Sequence, residues 1–513
     1  MNILKNTAAG LGAAALALML GAGARAATAN NDTVTFAAAG SSAQFSTFTS
    51  AFLAQGYSNH YSLKTQTTPL FTINDAGAPP ENAQVAIYWK GSTGNYQIAV
   101  FYQVDSTVGV RAYFNNDTLV APASAAPPAG DNVGQPGSGD QIPPTEVLMA
   151  VNGTTVNVGA TDITPEDARV ATERTFNLGY SSSNPVVAAL HKTSIATPVR
   201  FNLTAKAFTL TPLGAVPIVV FINNNTGSAF ASATGPNLNI DSFTLAGFLS
   251  GQLNRTSDFL LAAGAPANPV HTYVREPLSG TYNTMEYTNP ESVAKIPFTS
   301  GRPSGSTGAS GGQELNVDST ANNPLNEPVT GSADFNAPAG SGRVRSIGTG
   351  QLVGDVNSDA TDALGYAFYS AGTFGTSKSG NLRYITVDGA DPIQDNYSGG
   401  SLPGAVTFRN IINGGYSLWS ILRVVTPQNP PQAISDIVTS AQGAAQGTDF
   451  VIFKSLRVFR SYHQTPYTVG TVSNGNNGKA ANGGDVGGAV FTINNDQDFA
   501  TDFGGTELTN LRQ

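Results

Sequence analysis

The stretch Arg275-Glu-Pro-Leu-Ser279-Gly280-Thr281-Tyr-Asn-Thr284 places a guanidinium group, hydroxyl groups and a glycine at the predicted start of a helix. It follows an extended apolar run, Val270-His-Thr-Tyr-Val274. Arginine can make two parallel hydrogen bonds to an oxyanion, and the first amide groups of a helix donate where the helix dipole is positive. The pattern therefore indicates an oxyanion site between a strand and a helix. A hydroxyl N-cap beside a solvated arginine is the alternative interpretation of this stretch alone.

Three other polar turns lie between a strand-like run and a predicted helix. They are Gly40-Ser-Ser-Ala-Gln-Phe45, Asp105-Ser-Thr-Val-Gly109 and Gly159-Ala-Thr-Asp162. Each is rich in small and hydroxyl residues. Because ligands of α/β sheets bind beyond the carboxyl ends of the strands, four such turns in order on one chain favour a shared binding site.

Strand-like and helix-like segments alternate through most of the chain, which predicts the α/β class. Apolar alternation and β-branched residues mark the strands, whereas hydroxyl or glycine turns precede the helices. The predicted strands cover 33–37, 84–90, 96–102, 154–158 and 207–223, and the predicted helices include 46–55, 238–251 and the first half of 353–369.

The N-terminus has the pattern of a secretory signal peptide over residues 1–26. Lys5 is the basic region, residues 8–20 are the apolar region, and Ala24-Arg25-Ala26 is a small-x-small cleavage site. No later segment approaches about 18 unbroken apolar residues, the length that a membrane span needs. We therefore expect an exported protein whose mature chain starts at Ala27.

The composition excludes several classes of site. The chain has no cysteine, which excludes disulfides, thiolate metal sites and a lipid-modified N-terminal cysteine. For an exported protein, the lack of a lipid anchor favours the periplasm or release outside the cell. Only 12% of the residues are charged, the net charge is -9, and no basic patch exists for a nucleic acid. A mildly acidic chain can still bind an anion, because a distant net charge is screened while an arginine and amide groups act locally.

Two stretches, 121–145 and 300–345, are rich in Gly, Pro, Ser, Asn or Ala and are predicted to be long loop insertions. The tail after about residue 450 alternates apolar runs with Asn/Gly turns, which predicts a β-rich C-terminal extension. The sequence does not indicate the role of the insertions or of the extension.

In order and content, the four turns resemble those of the periplasmic phosphate-binding protein of the Pst-type phosphate ABC transporter, a two-lobed type II solute-binding protein. The family's Arg-x-x-x-Ser-Gly-Thr turn is matched in full from Arg275 to Thr281. Its Gly-x-Ser-Asp turn is matched by Gly159 to Asp162, with threonine for serine. The first two turns match loosely, and Ala43 stands where the family has Phe.

The resemblance implies a two-lobed periplasmic-binding-protein-like α/β fold. It implies one lobe built from residues 27–205 plus 376–513 and another from 206–375, with the chain crossing between them twice. It covers roughly residues 33–425. The chain is longer than typical members, and the insertions and the extension have no counterpart in the family.

The resemblance also implies a function and a set of ligands. The protein would capture inorganic phosphate between its lobes as a periplasmic monomer, without metal, cofactor or enzymatic activity, and deliver it to an ABC transporter permease and ATPase. Asp162 would accept a hydrogen bond from a protonated phosphate and would repel sulfate, which carries no proton. The implied phosphate ligands are Ser42, Ala43, Ser106, Asp162, Arg275, Ser279, Gly280 and Thr281.

Other interpretations of the chain remain open at this point. A secreted structural or adhesion protein would suit the Asn/Gly/Thr-rich composition, and a binder of sulfate or molybdate would use the same arginine. An enzyme is disfavoured, because the four histidines are scattered and Gly308-Ala-Ser310-Gly-Gly312 lacks the flanking strand and helix of a hydrolase turn. Asp355 to Asp362 resembles the start of a calcium loop but has Ala360 where glycine is required.

Overall fold

The structure is a computed structural model. It describes residues 31–64, 72–73, 84–120, 127, 130, 139–165, 168, 201–223, 227–232, 238–250, 253–259, 266–275, 279–288, 342–346, 348–360, 362–370, 382–393, 406–444, 449–460 and 490–492.

The first part of the described chain alternates strands and helices. Its elements are β1 (Thr33–Ser41), α1 (Phe45–Ala54), β2 (Asn59–Lys64), β3 (Thr72–Ile73), β4 (Gln84–Lys90), β5 (Gln97–Val104), α2 (Ser106–Asn115), β6 (Leu119–Val120), α3 (Thr145–Val151) and β7 (Val158–Thr161).

The second part begins with a long strand and continues the alternation. Its elements are β8 (Phe208–Asn223), α4 (Ala229–Ser232), β9 (Asn239–Ile240), α5 (Ser242–Ser250), α6 (Thr256–Phe259), β10 (Val270–Arg275), α7 (Gly280–Thr288), β11 (Gly342–Ser346), α8 (Thr349–Ser358), β12 (Asp362–Phe368), β13 (Leu382–Val387), α9 (Arg409–Ile412), β14 (Trp419–Pro427), α10 (Gln432–Ala444), β15 (Val451–Ile452), β16 (Val458–Arg460) and β17 (Val490–Thr492).

A mixed sheet of thirteen strands is the centre of the fold. Its main path runs β11-β10-β12-β8-β14-β7-β1-β5-β4-β2. At one end of this path β10 pairs in parallel with β11 and β12, and nearer the other end β1 pairs in parallel with β5 and β7. We call these two sets the β10 group and the β1 group. The mixed α/β class predicted from the sequence is confirmed.

The long strand β8 joins the two groups. Its first residues, Phe208 to Pro217, pair with β14, which in turn pairs with β7 of the β1 group. Its last residues, Ile218 to Ile222, pair with β12 of the β10 group. The strand β13 also pairs with this end of β8, although it follows residue 375. The division into lobes at residues 205 and 375 stays a prediction.

The strand β1 is buried on both faces, as expected of a central parallel strand. Successive side chains of a strand point to opposite faces, and here Phe36 and Ala38 belong to one hydrophobic cluster while Ala37 and Ala39 belong to another. At its carboxyl end Gly40 has a φ of +141°, and a Cβ there would overlap the carbonyl group of Ala160 in β7. Glycine at this position therefore lets β1 and β7 approach closely beside the first and third polar turns.

Several predicted elements are confirmed with shifted bounds. The strand predicted at 154–158 lies at Val158–Thr161, and the helix predicted at 238–251 is divided into a short strand, β9, and α5. The calcium-loop alternative is wrong, because Asp355 lies in α8 and Asp362 starts β12.

The C-terminal extension contributes the antiparallel pair of β16 and β17. The Gly308 to Gly312 motif and most of the 300–345 insertion lie outside the described residues, as does the signal-peptide pattern. Within the described part of the chain, none of the helices has the length and apolar character needed to cross a bilayer.

Candidate functional site

The four polar turns predicted to share a site follow the ends of four strands. β1 ends at Ser41, β5 at Val104 and β7 at Thr161, and these three parallel strands present their carboxyl ends at one edge of the sheet. The fourth turn follows β10, at the far end of the sheet path, where Arg275 is the last strand residue. A site that uses all four turns must therefore bring the β1 group and the β10 group together.

Asp162 is the most deeply placed group of the site. It follows the last residue of β7 and is only 2% exposed. Its Oδ2 accepts a hydrogen bond from Ser41 Oγ at 3.1 Å, and its Oδ1 accepts one from Ser106 Oγ. Its backbone carbonyl accepts a further hydrogen bond from Ser420 Oγ of β14. The carboxylate is thus fixed by hydroxyl groups from the first and second turns.

The environment of Asp162 makes its protonation state sensitive to conditions near neutrality. Burial raises the pKa of this carboxyl group to about 6, because desolvation disfavours the ionised form. Hydrogen bonds from Ser106 and Ser41 and the charge of Arg275 act in the opposite direction and limit the increase. The group can therefore accept a hydrogen bond when ionised and donate one when protonated.

In the first turn, Ser41 makes the contact with Asp162, although the sequence pointed to its neighbour. Ser42, predicted as a ligand, begins a 3-10 turn over Ser42–Gln44 and is half-buried. The amide of Ala43, also a predicted ligand, donates to Ser41 Oγ at 3.3 Å. Gln44 is fully buried and its Nε2 donates to the carbonyls of Thr161 and Arg423, at 2.7 and 3.0 Å.

Arg275 lies at the end of β10 with only 3% of its side chain exposed. Its Nη1 donates to Thr349 Oγ1 at 2.8 Å and to Thr281 Oγ1 at 3.4 Å. Its Nη2 lies 3.3 Å from Oδ1 of Asp105. The guanidinium group is therefore oriented by hydroxyls of the β10 group and by a carboxylate of the β1 group.

The fourth turn begins α7 with its hydroxyl and glycine residues buried. Ser279 Oγ accepts a hydrogen bond from the amide of Thr281 at 3.2 Å, which is the bond expected of a helix N-cap. The backbone carbonyl of Ser279 accepts from Asn283 Nδ2 at 2.8 Å. Gly280 lies against Asp162 and Ser106, since a Cβ built on this glycine would overlap both side chains. The start of α7 thus packs directly onto the second and third turns.

Most of the predicted ligands are therefore neighbours in the fold. Ser106, Asp162 and Gly280 are in contact, and Arg275 is joined to Thr281. Their role in binding an anion stays a prediction, as does the role of Ser42, Ala43 and Ser279.

Sequence reasoning missed Asp105 and Thr349 as partners of Arg275. Asp105 stands directly before a predicted helix, but that position indicates a helix cap and not a partner of Arg275. Asp105 occupies the N-cap position of α2, yet its side chain makes no capping hydrogen bond there. Thr349 is the first residue of α8 and follows Gly348, which has a φ of +77°.

The arrangement combines one arginine, several buried hydroxyls, two helix starts and a carboxyl group that titrates near neutral pH. These groups suit an oxyanion that both accepts hydrogen bonds and carries a proton. Within the described residues, no group of three or more His, Cys, Asp or Glu side chains could hold a metal ion.

The similarity of this chain to known proteins lies in solved structures. No family model matches it, and no curated protein matches its sequence. Among solved structures, it is similar to an ABC-type phosphate transport receptor from Vibrio cholerae, with 13% identity and a TM-score of 0.26 over 47% of this chain and 70% of that one.

Two other solved structures give comparable values. A phosphate-binding protein from Stenotrophomonas maltophilia matches at 14% identity and a TM-score of 0.31, over 75% of this chain and 83% of that one. A DING protein matches at 11% identity and a TM-score of 0.31, over 76% of this chain and 84% of that one. Values of this size do not establish a function, so the interpretation of the site depends on its own residues.

Proposed function

We propose that this chain is an exported solute-binding protein that captures inorganic phosphate at the junction of the β1 group and the β10 group. The observation that carries the proposal is the meeting of Arg275 and Asp162 at one place. Arg275 ends β10 and Asp162 follows the end of β7, two strands that are distant on the sheet path, and the charge of Arg275 acts on the carboxyl group of Asp162.

Arg275 supplies the positive charge for the anion. Its planar guanidinium group matches the spacing of two oxyanion oxygens and stays protonated at any physiological pH. The hydroxyls of Ser106, Ser279 and Thr281 and the first amide groups of α2 and α7 supply further donors. Ser42 and Ala43 would complete the shell from the first turn.

Asp162 distinguishes phosphate from oxyanions that carry no proton. A buried ionised carboxylate repels an anion that carries no proton but accepts a hydrogen bond from hydrogen phosphate. Sulfate and molybdate carry no proton near neutral pH, which makes phosphate the better complement of this site. Arsenate shares the protonation chemistry of phosphate, so the same contacts would admit it.

The chain would act in the periplasm as a monomer and pass phosphate to a membrane permease and its ATPase. Capture would involve closure of the β1 group and the β10 group over the anion, as in other two-lobed binding proteins. This part of the proposal follows from the sequence resemblance and from the placement of the site between two strand groups.

The deciding experiment is titration calorimetry of the full chain with inorganic phosphate, and with sulfate, near neutral pH. We expect one-to-one phosphate binding that sulfate does not match. Arg275→Ala should abolish it, whereas Arg457→Ala, which removes an exposed arginine, should leave it unchanged. Absence of binding to either anion would contradict the proposal and favour a structural or adhesive role.

A further inference from the structure

Asp105 uses its carboxylate in an unusual way for its position. It is the N-cap residue of α2, where aspartate normally accepts a hydrogen bond from the amides of the first turn. Here its side chain makes no such bond, and its Oδ1 lies 3.3 Å from Arg275 Nη2 instead. Asp105 belongs to the β1 group and Arg275 to the β10 group. The carboxylate is thus directed across the junction at the arginine of the candidate site.

This contact changes the charge that an incoming anion meets. The side chains of Arg275 and Asp105 are 3% and 16% exposed, so solvent screens their charges only weakly. Asp162 adds a second carboxylate, which Ser106, the residue after Asp105, contacts directly. The charge of Arg275 is therefore offset by the carboxylate of Asp105, and it also acts on the carboxyl group of Asp162.

An anion in this environment is repelled in proportion to its own charge. A dianion meets twice the electrostatic repulsion that a monoanion meets at the same place. The O–H groups of a singly charged, protonated oxyanion also donate hydrogen bonds that carboxylates can accept. The two carboxylates therefore act in different ways. Asp162 accepts a hydrogen bond from a protonated oxygen of the ligand, and Asp105 adds negative charge beside Arg275.

We propose that Asp105 is a specificity-determining residue, whose carboxylate makes the site reject fully deprotonated oxyanions and accept one that retains acidic protons. This inference rests on the proposed capture of phosphate at the same site. It adds that the preferred form of the ligand is the singly charged one, and that selectivity depends on two carboxylates from separate turns.

The test compares the wild-type full chain with Asp105→Asn, which has nearly the same shape but no charge. Both are titrated with inorganic phosphate and with sulfate at one near-neutral pH and one ionic strength. Sulfate affinity should rise more than phosphate affinity, so the preference for phosphate over sulfate should fall about tenfold or more. Asp436→Asn is the matched control, because it removes the same charge from α10 and should leave the preference unchanged.

The outcomes separate this inference from the proposed function. If the wild type binds phosphate and Asp105→Asn keeps the wild-type preference, Asp105 does not set specificity and the inference is overturned. If the wild type binds neither anion, the proposed function fails and the inference fails with it. Should Asp105→Asn not fold, Asp105→Ser removes the same charge with a residue that favours the N-cap position, and its anion preference decides the question.

Discussion

Gly280 lies so close to the carboxylate of Asp162 that a Cβ on the glycine would overlap Oδ1 and Cγ of the aspartate. The two residues belong to turns that follow β10 and β7, which are separated on the sheet path by β12, β8 and β14. Only a residue without a side chain allows the start of α7 to pack on Asp162. This contact therefore fixes how closely the β10 group approaches the β1 group at the candidate site.

Gly280→Ala should weaken phosphate binding about 10- to 100-fold. The added methyl group would overlap Asp162 and Ser106, and overpacking of a buried site costs about 1–3 kcal/mol. Calorimetric titration with phosphate measures the loss. Gly443→Ala is the matched control, because Gly443 lies in α10 with nothing within 4 Å of a built Cβ. The control should bind normally and gain up to about 1 kcal/mol of stability. Equal phosphate affinities in the two variants would refute the prediction.

Local patterns were enough to predict which residues could meet, because polar turns after parallel strands lie at one edge of a sheet. Ser106 and Asp162 are in contact on that basis, and Arg275 and Gly280 approach them. The partner of Arg275 could not be predicted in the same way. Asp105 looks like an ordinary helix cap in the sequence, and its actual direction depends on where β10 lies relative to β5. That relation is set by the pairing of β8 with β12 at one end and with β14, the neighbour of β7, at the other. The periodicity of a local segment does not show such long-range pairing.

The first turn shows a second limit of sequence reasoning. Ser41 and Ser42 are adjacent and chemically identical, so the sequence alone does not decide which of them faces Asp162. The end of β1 at Ser41 and the 3-10 turn after it decide the question, and they direct Ser41 at the carboxylate. A one-residue difference in where a strand ends is below the precision of pattern-based boundaries.

Asp162→Asn should change how stability depends on pH in the absence of phosphate. Burial raises the pKa of Asp162 from 3.8 to about 6, so the folded chain binds this proton more tightly than the unfolded chain. The stabilisation that the bound proton gives the folded chain is complete below the unfolded pKa of Asp162, 3.8, and is lost as the pH rises through about 6. The loss is about 3 kcal/mol. The free energy of unfolding of Asp162→Asn, relative to the wild type, should therefore increase by that amount between about pH 2.5 and pH 7.5. A difference independent of pH would contradict this prediction.

Asp241→Ala should have the opposite pH dependence and serves as a comparison. Burial alone would raise the pKa of Asp241, but hydrogen bonds from the amide and hydroxyl of Thr244 hold it below its ordinary value. The stability that the ionised Asp241 gives the folded chain is present above the unfolded pKa of this carboxyl group and is lost as the pH falls. Loss of this helix cap should cost about 0.5–2 kcal/mol near neutral pH, and less in acid. Denaturant unfolding at several pH values measures the trend, and a cost that grows toward acid would show that the carboxylate does not act as a cap.

Ser41→Ala should raise the pKa of Asp162, whereas Ser42→Ala should not. The hydroxyl of Ser41 donates to Asp162 and lowers its pKa, while Ser42 is not among the groups that act on this carboxyl. For each serine variant, the free energy of unfolding is compared with that of the same variant carrying Asp162→Asn, over a range of pH. The pH midpoint of this difference reports the pKa of Asp162. Phosphate titration of Ser42→Ala tests separately whether Ser42 binds the anion. A midpoint that shifts in Ser42→Ala and stays constant in Ser41→Ala would reverse the assignment of the two serines.

Gln44→Ala should damage the site without removing any predicted ligand. Gln44 Nε2 donates to the carbonyls of Thr161, next to Asp162, and of Arg423, which is paired with Thr161 across the sheet. Both carbonyls are buried, and leaving a buried acceptor without its donor costs about 1–3 kcal/mol. The end of β7 should then relax and move Asp162 away from Ser41 and Ser106.

We therefore expect Gln44→Ala to lower the thermal midpoint and to weaken phosphate binding, while sulfate binding rises relative to phosphate because Asp162 is displaced. Gln55→Ala is the matched control. Its Nε2 also donates one strong hydrogen bond, to Ser440 Oγ at 2.6 Å, but it joins α1 to α10 away from Asp162. That variant should lose stability with unchanged anion preference. Unchanged anion preference in Gln44→Ala as well would show that the position of Asp162 does not depend on the bonds of Gln44.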